Sequence, residues 1–390
     1  MPTPSLTLPY LVASQVQKEV THNDALNDLD ALVQLSVISR TTNTPPPSPA
    51  LGDAYIVGSA PTGAWNGAAN SIAFWNNGWR LKVPKTGWLA WSKAEDKLVR
   101  FTGSTWTPYA DSGSALSNNL RLTLTSGTPV TTADVTGAGT LYLTAYKGNA
   151  IALYVGGQWV VRQTDEITLS LAGLASGKPY DVFCYDNGGT PALESLAWTN
   201  TTTRATALTR QNGLWVKAGD ATRRYVGSFY TTGTGITEDS QANRYVWNYD
   251  NRVQKILLRT ESAASWAYTT NVLRPANNNS ANVVNFIIGV SEDLVDAECR
   301  AAWSNTTVGA EIQINMGLDS TTGPSATYRG LGTTLLANYK HYAITKYSGT
   351  PSAGKHSLSW LEASVAMGTT TWYADGTFGA TCGLLGRIFV

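Results

Sequence analysis

The chain has 390 residues with only 14% charged, a net charge of +1, and Gly, Trp and Tyr in abundance. No concentrated basic face speaks for nucleic acid, and no apolar run approaches the roughly 20 residues of a membrane helix. The start, MPTPSLTLPY, lacks the basic and apolar regions of a secretory signal, and Cys184, Cys299 and Cys382 have no metal spacing, so they read as buried free thiols with no metal or cofactor to hold.

The only long helical pattern runs from Leu11 to Ser39. Val12, Val16 and Val20 form one stripe, and Leu26, Leu29, Val33 and Val37 continue it at spacings of three and four. Thr21 followed by Asp24 reads as a helix start, which divides the segment near His22 and Asn23 into two short helices. A one-sided helix must bury its stripe, either on its own β domain or on copies of itself, as a trimer seam or virion anchor. Four prolines between Pro45 and Pro49 then make a stiff spacer that holds helix and β body apart.

From Tyr55 to Tyr109 short strands return through Gly turns to a Trp, and Asn77-Gly78 between Trp75 and Trp79 predicts a type I′ hairpin. Six tryptophans between Trp65 and Trp106 predict a small β domain with a core made mostly of indole. Leu120 to Arg224 alternates apolar and polar residues between turns at the spacing of a sandwich or barrel. Asp186-Asn187-Gly188-Gly189 reads as a tight turn, since a calcium site needs more oxygens than Asp181 and Asp186 supply.

Two kinds of sequence meet in Arg223 to Arg259. Tyr245, Trp247 and Tyr249 alternate with Val246, Asn248 and Asp250, so their rings share one strand face, either packed in a core or offered as a platform for sugars. Beyond Arg259 the longer strands VVNFIIGV, AEIQINMGL, YKHYAITKYSG, HSLSWLEASVA and GLLGRIFV predict a jelly-roll sandwich. Ser291-Glu292-Asp293 before Leu294 reads as a capped helical turn. Its acids resemble neither a glycosidase pair in a proton-raising setting nor part of a Ser-His-Asp or Cys-His set, so no catalytic residue is assigned.

The run DATRRYVGSFYTTGTGITEDSQANRYVWNYDNRV, with KPYDVFCYDNGGTPALESLAWTNTTTRAT before it, resembles a segment of tailed-phage fibre and tail proteins. LPYLVASQVQKEVTHNDALNDLDALVQLSV, followed by GDAYIVG, TGAWNG, IAFWNNGW and GWLAWSKAEDKLVRFTGSTW, is similar to a domain of unknown function that opens fibre or spike proteins of phages and gene-transfer agents. The resemblance covers most of residues 5 to 260. It implies a virion component made in the host cytoplasm and brings no catalytic residues with it.

The expected architecture is therefore mainly β, in four parts. A helical attachment or oligomerisation segment (1–40) is followed by a Trp-rich β domain (41–112), a sandwich or barrel (113–235) and a C-terminal jelly-roll-like sandwich (236–390). The expected function is a fibre or spike subunit, a homotrimer joined to other virion proteins through its N-terminal part and binding host surface polysaccharide. Sugars are held by amides and hydroxyls over an aromatic face, which points to Asn277, Asn278, Asn279, Asn282, Tyr328, Tyr339, Tyr342 and Tyr347. The alternative is an architectural virion protein that binds only other virion proteins.

Overall fold

Strand-period alternation governs nearly every segment between Tyr55 and the last residue, and the structure follows it. A computed structural model describes residues 3–6, 8, 10, 18–109, 116–374 and 382–390. Among these the chain is mostly β, and it divides into two units, Met1–Gly113 and Ser114–Val390.

Among the described residues of the first unit one α-helix, α1, spans Lys18–Leu32 and runs unbroken through His22 and Asn23, where a division into two helices was expected. Its buried side is not the expected stripe. Ala31 and Leu32 pack on the core, Asn27 and Asp30 are buried and Leu26 is partly so, whereas Val20, Leu29 and Val33 are exposed. The reason is polar. Asp30 accepts hydrogen bonds from the Thr3 hydroxyl at 2.8 Å and the Ser5 amide at 2.9 Å, while Asp24 and Asp28 reach Arg80 and Lys82 at 2.5 Å each. Val12 and Val16 lie outside the described residues.

The proline run does not hold helix and β body apart. The strand Ser36–Val37 has already joined the sheet beside Leu89–Ser92 before the prolines begin. The prolines therefore lie in a surface loop pinned by Gly58 N to Thr42 O and Thr62 N to Asn43 O, 2.9 Å each. The core here is chiefly aliphatic, with Val37, Ile56, Ile72 and Val99 around Trp106, while Trp65 is buried in a second cluster. Trp75 and Trp79 lie nearer the surface and Trp91 is exposed, because short strands cannot cover six indoles. The Trp75–Trp79 hairpin has a three-residue loop, not type I′. Trp75 pairs with Trp79, and Asn77 alone of the two expected turn residues takes a positive φ, 53°.

The second unit holds two hydrophobic cores that share one sheet. On the adjacent strands Pro179–Asn187 and Asp220–Gly233, alternate residues point opposite ways. Tyr180, Val182, Cys184, Val226 and Phe229 enter one core with Leu122, Leu143 and Leu153. Phe183 and Tyr225 enter the other with Trp247, Phe286, Trp303 and Trp360. Period-two alternation is what lets one layer serve both sides. Val246 and Trp247, neighbours in sequence, divide between the cores in the same way. Trp247 is wholly buried, which is the packed alternative for the aromatic strand. Gly289 explains its fit: a Cβ there would stand 2.3 Å from the indole and 2.2 Å from the Tyr225 hydroxyl.

Strand pairing runs without interruption past position 235. Asp220–Gly233 pairs with Ile236–Asp239, which pairs with Asn243–Arg244, and this in turn lies parallel to Val283–Ile288. Two sheets enclose the larger core. One carries Val283–Ile288, Gly354–Ser364, Glu311–Leu318 and Gly330–Thr333. The other carries Gln254–Arg259, Gly383–Phe389, Val295–Asn305 and His341–Gly349, with Thr370–Tyr373 and Ser265–Ala267 at one end. Ser291 to Asp293 form a turn, not a helical start, because the strand begins at Val295.

Candidate functional site

Sandwich strands end in loops at two ends, and loops are where a rigid scaffold carries variable chemistry. At one end of the C-terminal sandwich four loops are tied in series. Residues 268–273 meet 364–370 through Tyr268 N to Thr370 O (3.1 Å), Thr370 N to Thr269 Oγ1 (2.9 Å) and Ser364 N to Thr270 O (3.0 Å). Residues 364–370 meet 305–310 through Thr369 N to Thr306 Oγ1 (2.9 Å) and Asn305 Nδ2 to Met367 O (3.0 Å). Residues 305–310 meet 334–340 through Gly309 N to Thr334 O (2.9 Å) and Asn338 N to Asn305 O (2.8 Å). Asn305 is the hub: it is buried, donates also to Thr370 Oγ1 at 2.7 Å and accepts from the Thr307 amide at 2.7 Å.

What these loops present is unusual for a solvated loop end. Val272, Val308, Leu335, Leu336, Tyr339 and Met367 are all exposed, Leu335 at 77%. Residues 268–273, 305–310, 334–340 and 365–370 contain no carboxylate, and Lys340 is their one charged residue. Threonine and asparagine make up most of the remainder. Lys340 lies over the Tyr373 ring at 4.1 Å, and His341 stacks on Trp303 at 5.0 Å with Tyr339 edge-on to it at 5.7 Å. The buried His341 Nε2 has no hydrogen-bond partner in the structure.

The expected ligand residues separate into three groups. Tyr339 belongs to the loop end. Tyr328 and Tyr342 are exposed on its flank, where Tyr328 N donates to Lys346 O at 3.0 Å and Tyr342 lies on the outer side of His341–Gly349. The rest face inward or hold the chain together. Tyr347 is in the core. Asn282 is buried, and with Asn279 it donates to Glu261, at 2.7 and 3.0 Å. The Asn277 amide donates to Glu362 at 3.1 Å, and Asn277 and Asn278 are left-handed turn residues, Asn278 being exposed. Four asparagines within the six residues 277–282 therefore serve chiefly to fold a turn around two carboxylates.

Those carboxylates are tuned in opposite directions. Burial pushes Glu362 up to about 7, against the Trp266 indole at 2.7 Å and Arg274 at 2.9 Å. Burial would also raise Glu261, but the Ala263 amide, Asn279, Asn282 and the Ser262 amide together hold it down to about 2. Neither group is exposed to solvent. Glu292 and Asp293, which with Asp296 and Glu298 form the densest acidic run in the sequence, are held by Arg252, which reaches Glu292 at 3.0 Å. Among the described residues no group of three or more His, Cys, Asp or Glu is placed to hold a metal ion, and no helix is long and apolar enough to cross a membrane.

Sequence reasoning missed Asn305, His341 with Trp303, and the apolar loop tips. Their one signal was isolated apolar residues within threonine-rich turns, as in TTLLANYK and NTTVG.

Residues 22–107 match a family model described as "Protein of unknown function (DUF2793)". No curated protein matches the chain. Similar solved structures include Eiger TNF from S. frugiperda, at 4% identity over 36% of this chain and 92% of that one, with a TM-score of 0.24. The insecticidal delta-endotoxin Cry8Ea1 from Bacillus thuringiensis matches at 9% identity over 70% and 52%, with a TM-score of 0.22. A glycoside hydrolase family 43 arabinoxylan arabinofuranohydrolase from Bacillus subtilis matches at 13% identity over 82% and 76%, with a TM-score of 0.19. At these scores the likeness assigns nothing.

Proposed function

We propose that the chain is a subunit of a virion fibre or spike, made in the host cytoplasm. It forms a closed homo-oligomer, a trimer in the simplest case, joins other virion proteins through its N-terminal part, and attaches the particle to host surface polysaccharide through the C-terminal sandwich. The observation that carries the reading is the loop end, where the exposed Tyr339 ring stands beside His341 and Lys340 in a rim of Thr and Asn side chains. Neutral polyols are recognised by that combination of aromatic face, amide and hydroxyl. The loops are fixed by backbone bonds and Asn305, so binding there costs little ordering. The architectural reading, in which the chain binds only virion proteins, draws support from the apolar loop tips, which suit a protein surface as well.

The test is adsorption of the full-length protein to host cells and to purified surface polysaccharide. Tyr339→Ala is expected to weaken both roughly tenfold, the loss of one aromatic contact, with melting unchanged because the ring is exposed. Full-length protein that binds neither target yet binds particles lacking it defeats the polysaccharide reading and leaves the architectural one.

A further inference from the structure

In the C-terminal sandwich the sheet containing Gln254–Arg259, Gly383–Phe389, Val295–Asn305 and His341–Gly349 has one side in the core, through Leu257, Ile388, Cys299 and Ala343. Period-two alternation sends the intervening residues to the other side, which on an antiparallel sheet facing water should be polar. Instead Ile256, Leu385, Phe389, Tyr342 and Ile344 are each 40–50% exposed there. The register sets them in rows across the strands. Leu258, Leu385, Glu298 and Lys346 form one row, and Ile256, Arg387, Asp296 and Ser348 the next. Gly383, Arg300 and Ile344 form a third.

We infer that this face is the surface on which a second copy of the chain seats. Two features select that occupant over a glycan or a strongly charged partner. The charges are mixed and interleaved: Asp296 and Glu298 stand among Arg300, Lys346 and Arg387, with Glu298 3.1 Å from Arg300 and 3.6 Å from Lys346. A surface carrying both signs in alternation meets its own copy without like-charge opposition. The shape is also self-complementary. Beside Gly383 the third row borders a recess of about 150 Å3 lined by Leu258, Thr260, Glu298, Arg300 and Leu385. Two strands away on the same face, Ile344 projects as a ridge. Ridge and recess on one face allow each copy to fill its neighbour and be filled, and identical chains close such contacts by rotation.

This inference rests on the proposed homo-oligomer, for which it names the contact, and it is independent of what the loop end binds. Mass is measured on the full-length protein in solution at micromolar concentration, with circular dichroism to check folding. Ile344→Arg combined with Leu385→Arg is expected to reduce the wild-type oligomer to single chains, whereas Leu335→Arg at the loop end leaves the mass unchanged. Independently, Ile344→Cys with Thr260→Cys is expected to cross-link copies under mild oxidation into a closed species of the wild-type subunit number. A monomeric wild type overturns both this inference and the oligomer reading. An oligomer that survives the double arginine variant, or that gives no cross-link, overturns this inference alone and assigns assembly to another surface.

Discussion

The two ends of the C-terminal sandwich solve the same problem, fastening loops to a β core, by different chemistry. At one end the loops are bound by amide and hydroxyl hydrogen bonds radiating from Asn305, and their apolar tips point outward. At the other end charged groups do the fastening. Arg252 holds Glu292 and Asp293 and covers Trp247, 5.2 Å from its ring, and Asp319 pairs with His356 at 2.8 Å and accepts from the Ser357 amide. The Ser291 hydroxyl closes this end on Pro351 O at 2.7 Å. Charges satisfied among themselves leave little reason for a neutral partner to bind, whereas neutral fastening frees the loop tips to present apolar and aromatic groups.

The largest expected effect lies beneath the charged end. Trp247 is fully buried between Tyr225, Gly289 and Arg252, so Trp247→Ala should cost about 3–5 kcal/mol, as truncation of a large core side chain does. Thermal melting measures it. A loss under 1 kcal/mol would mean that the ring is not the support of that end.

A second probe uses pH to tell the ends apart. Glu362 lies under the loop end and is raised from 4.5 to about 7. Its contribution to stability is therefore fully present below about 4.5 and is lost as pH rises through 7, by up to about 3 kcal/mol. Asp319, at the charged end, is lowered. Burial opposes that shift, but the His356 and Ser357 hydrogen bonds prevail. Its contribution is present above its ordinary value and is lost as pH falls below it. Between pH 5 and 7.5, urea denaturation of the wild type should show stability falling as pH rises, and Glu362→Gln should flatten that slope. An unchanged slope in the variant would remove Glu362 from the account.

The sharpest test of the comparison pairs two single substitutions. Asn305→Ala strands the Thr307 amide and the Met367 carbonyl and should cost about 2–3 kcal/mol. Arg252→Ala removes partly exposed ion pairs and should cost about 1 kcal/mol or less. Equal losses would mean that the two ends are fastened with equal strength and that the contrast is one of appearance only.

Much of the architecture was legible before any coordinates. Alternation in LRLTLTSG, VVNFIIGV and AEIQINMGL marks real strands because the strand period is fixed by backbone geometry. The Asp186 turn was legible too, since its glycines take φ values of 61° and 98° and the Gly189 amide bonds the Asp186 carboxylate. The site was less legible. Tyr339 was chosen by type alone, as were Asn279 and Asn282, but a carboxylate 18 to 21 positions earlier claims the two asparagine amides, and no local pattern announces that claim.

By itself the sequence determined the β character and the turn positions, since both depend on residue type and short-range period. Tertiary structure alone decided which face of α1 is buried, because Asp30 and its partners 25 and 27 residues away outweigh the apolar stripe. It also decided that Val246 and Trp247 enter different cores, and that Asn305, not the asparagine-rich turn, organises the exposed end. Those outcomes depend on which distant groups satisfy a buried polar atom, and an unmet buried hydrogen bond costs more than any local preference supplies.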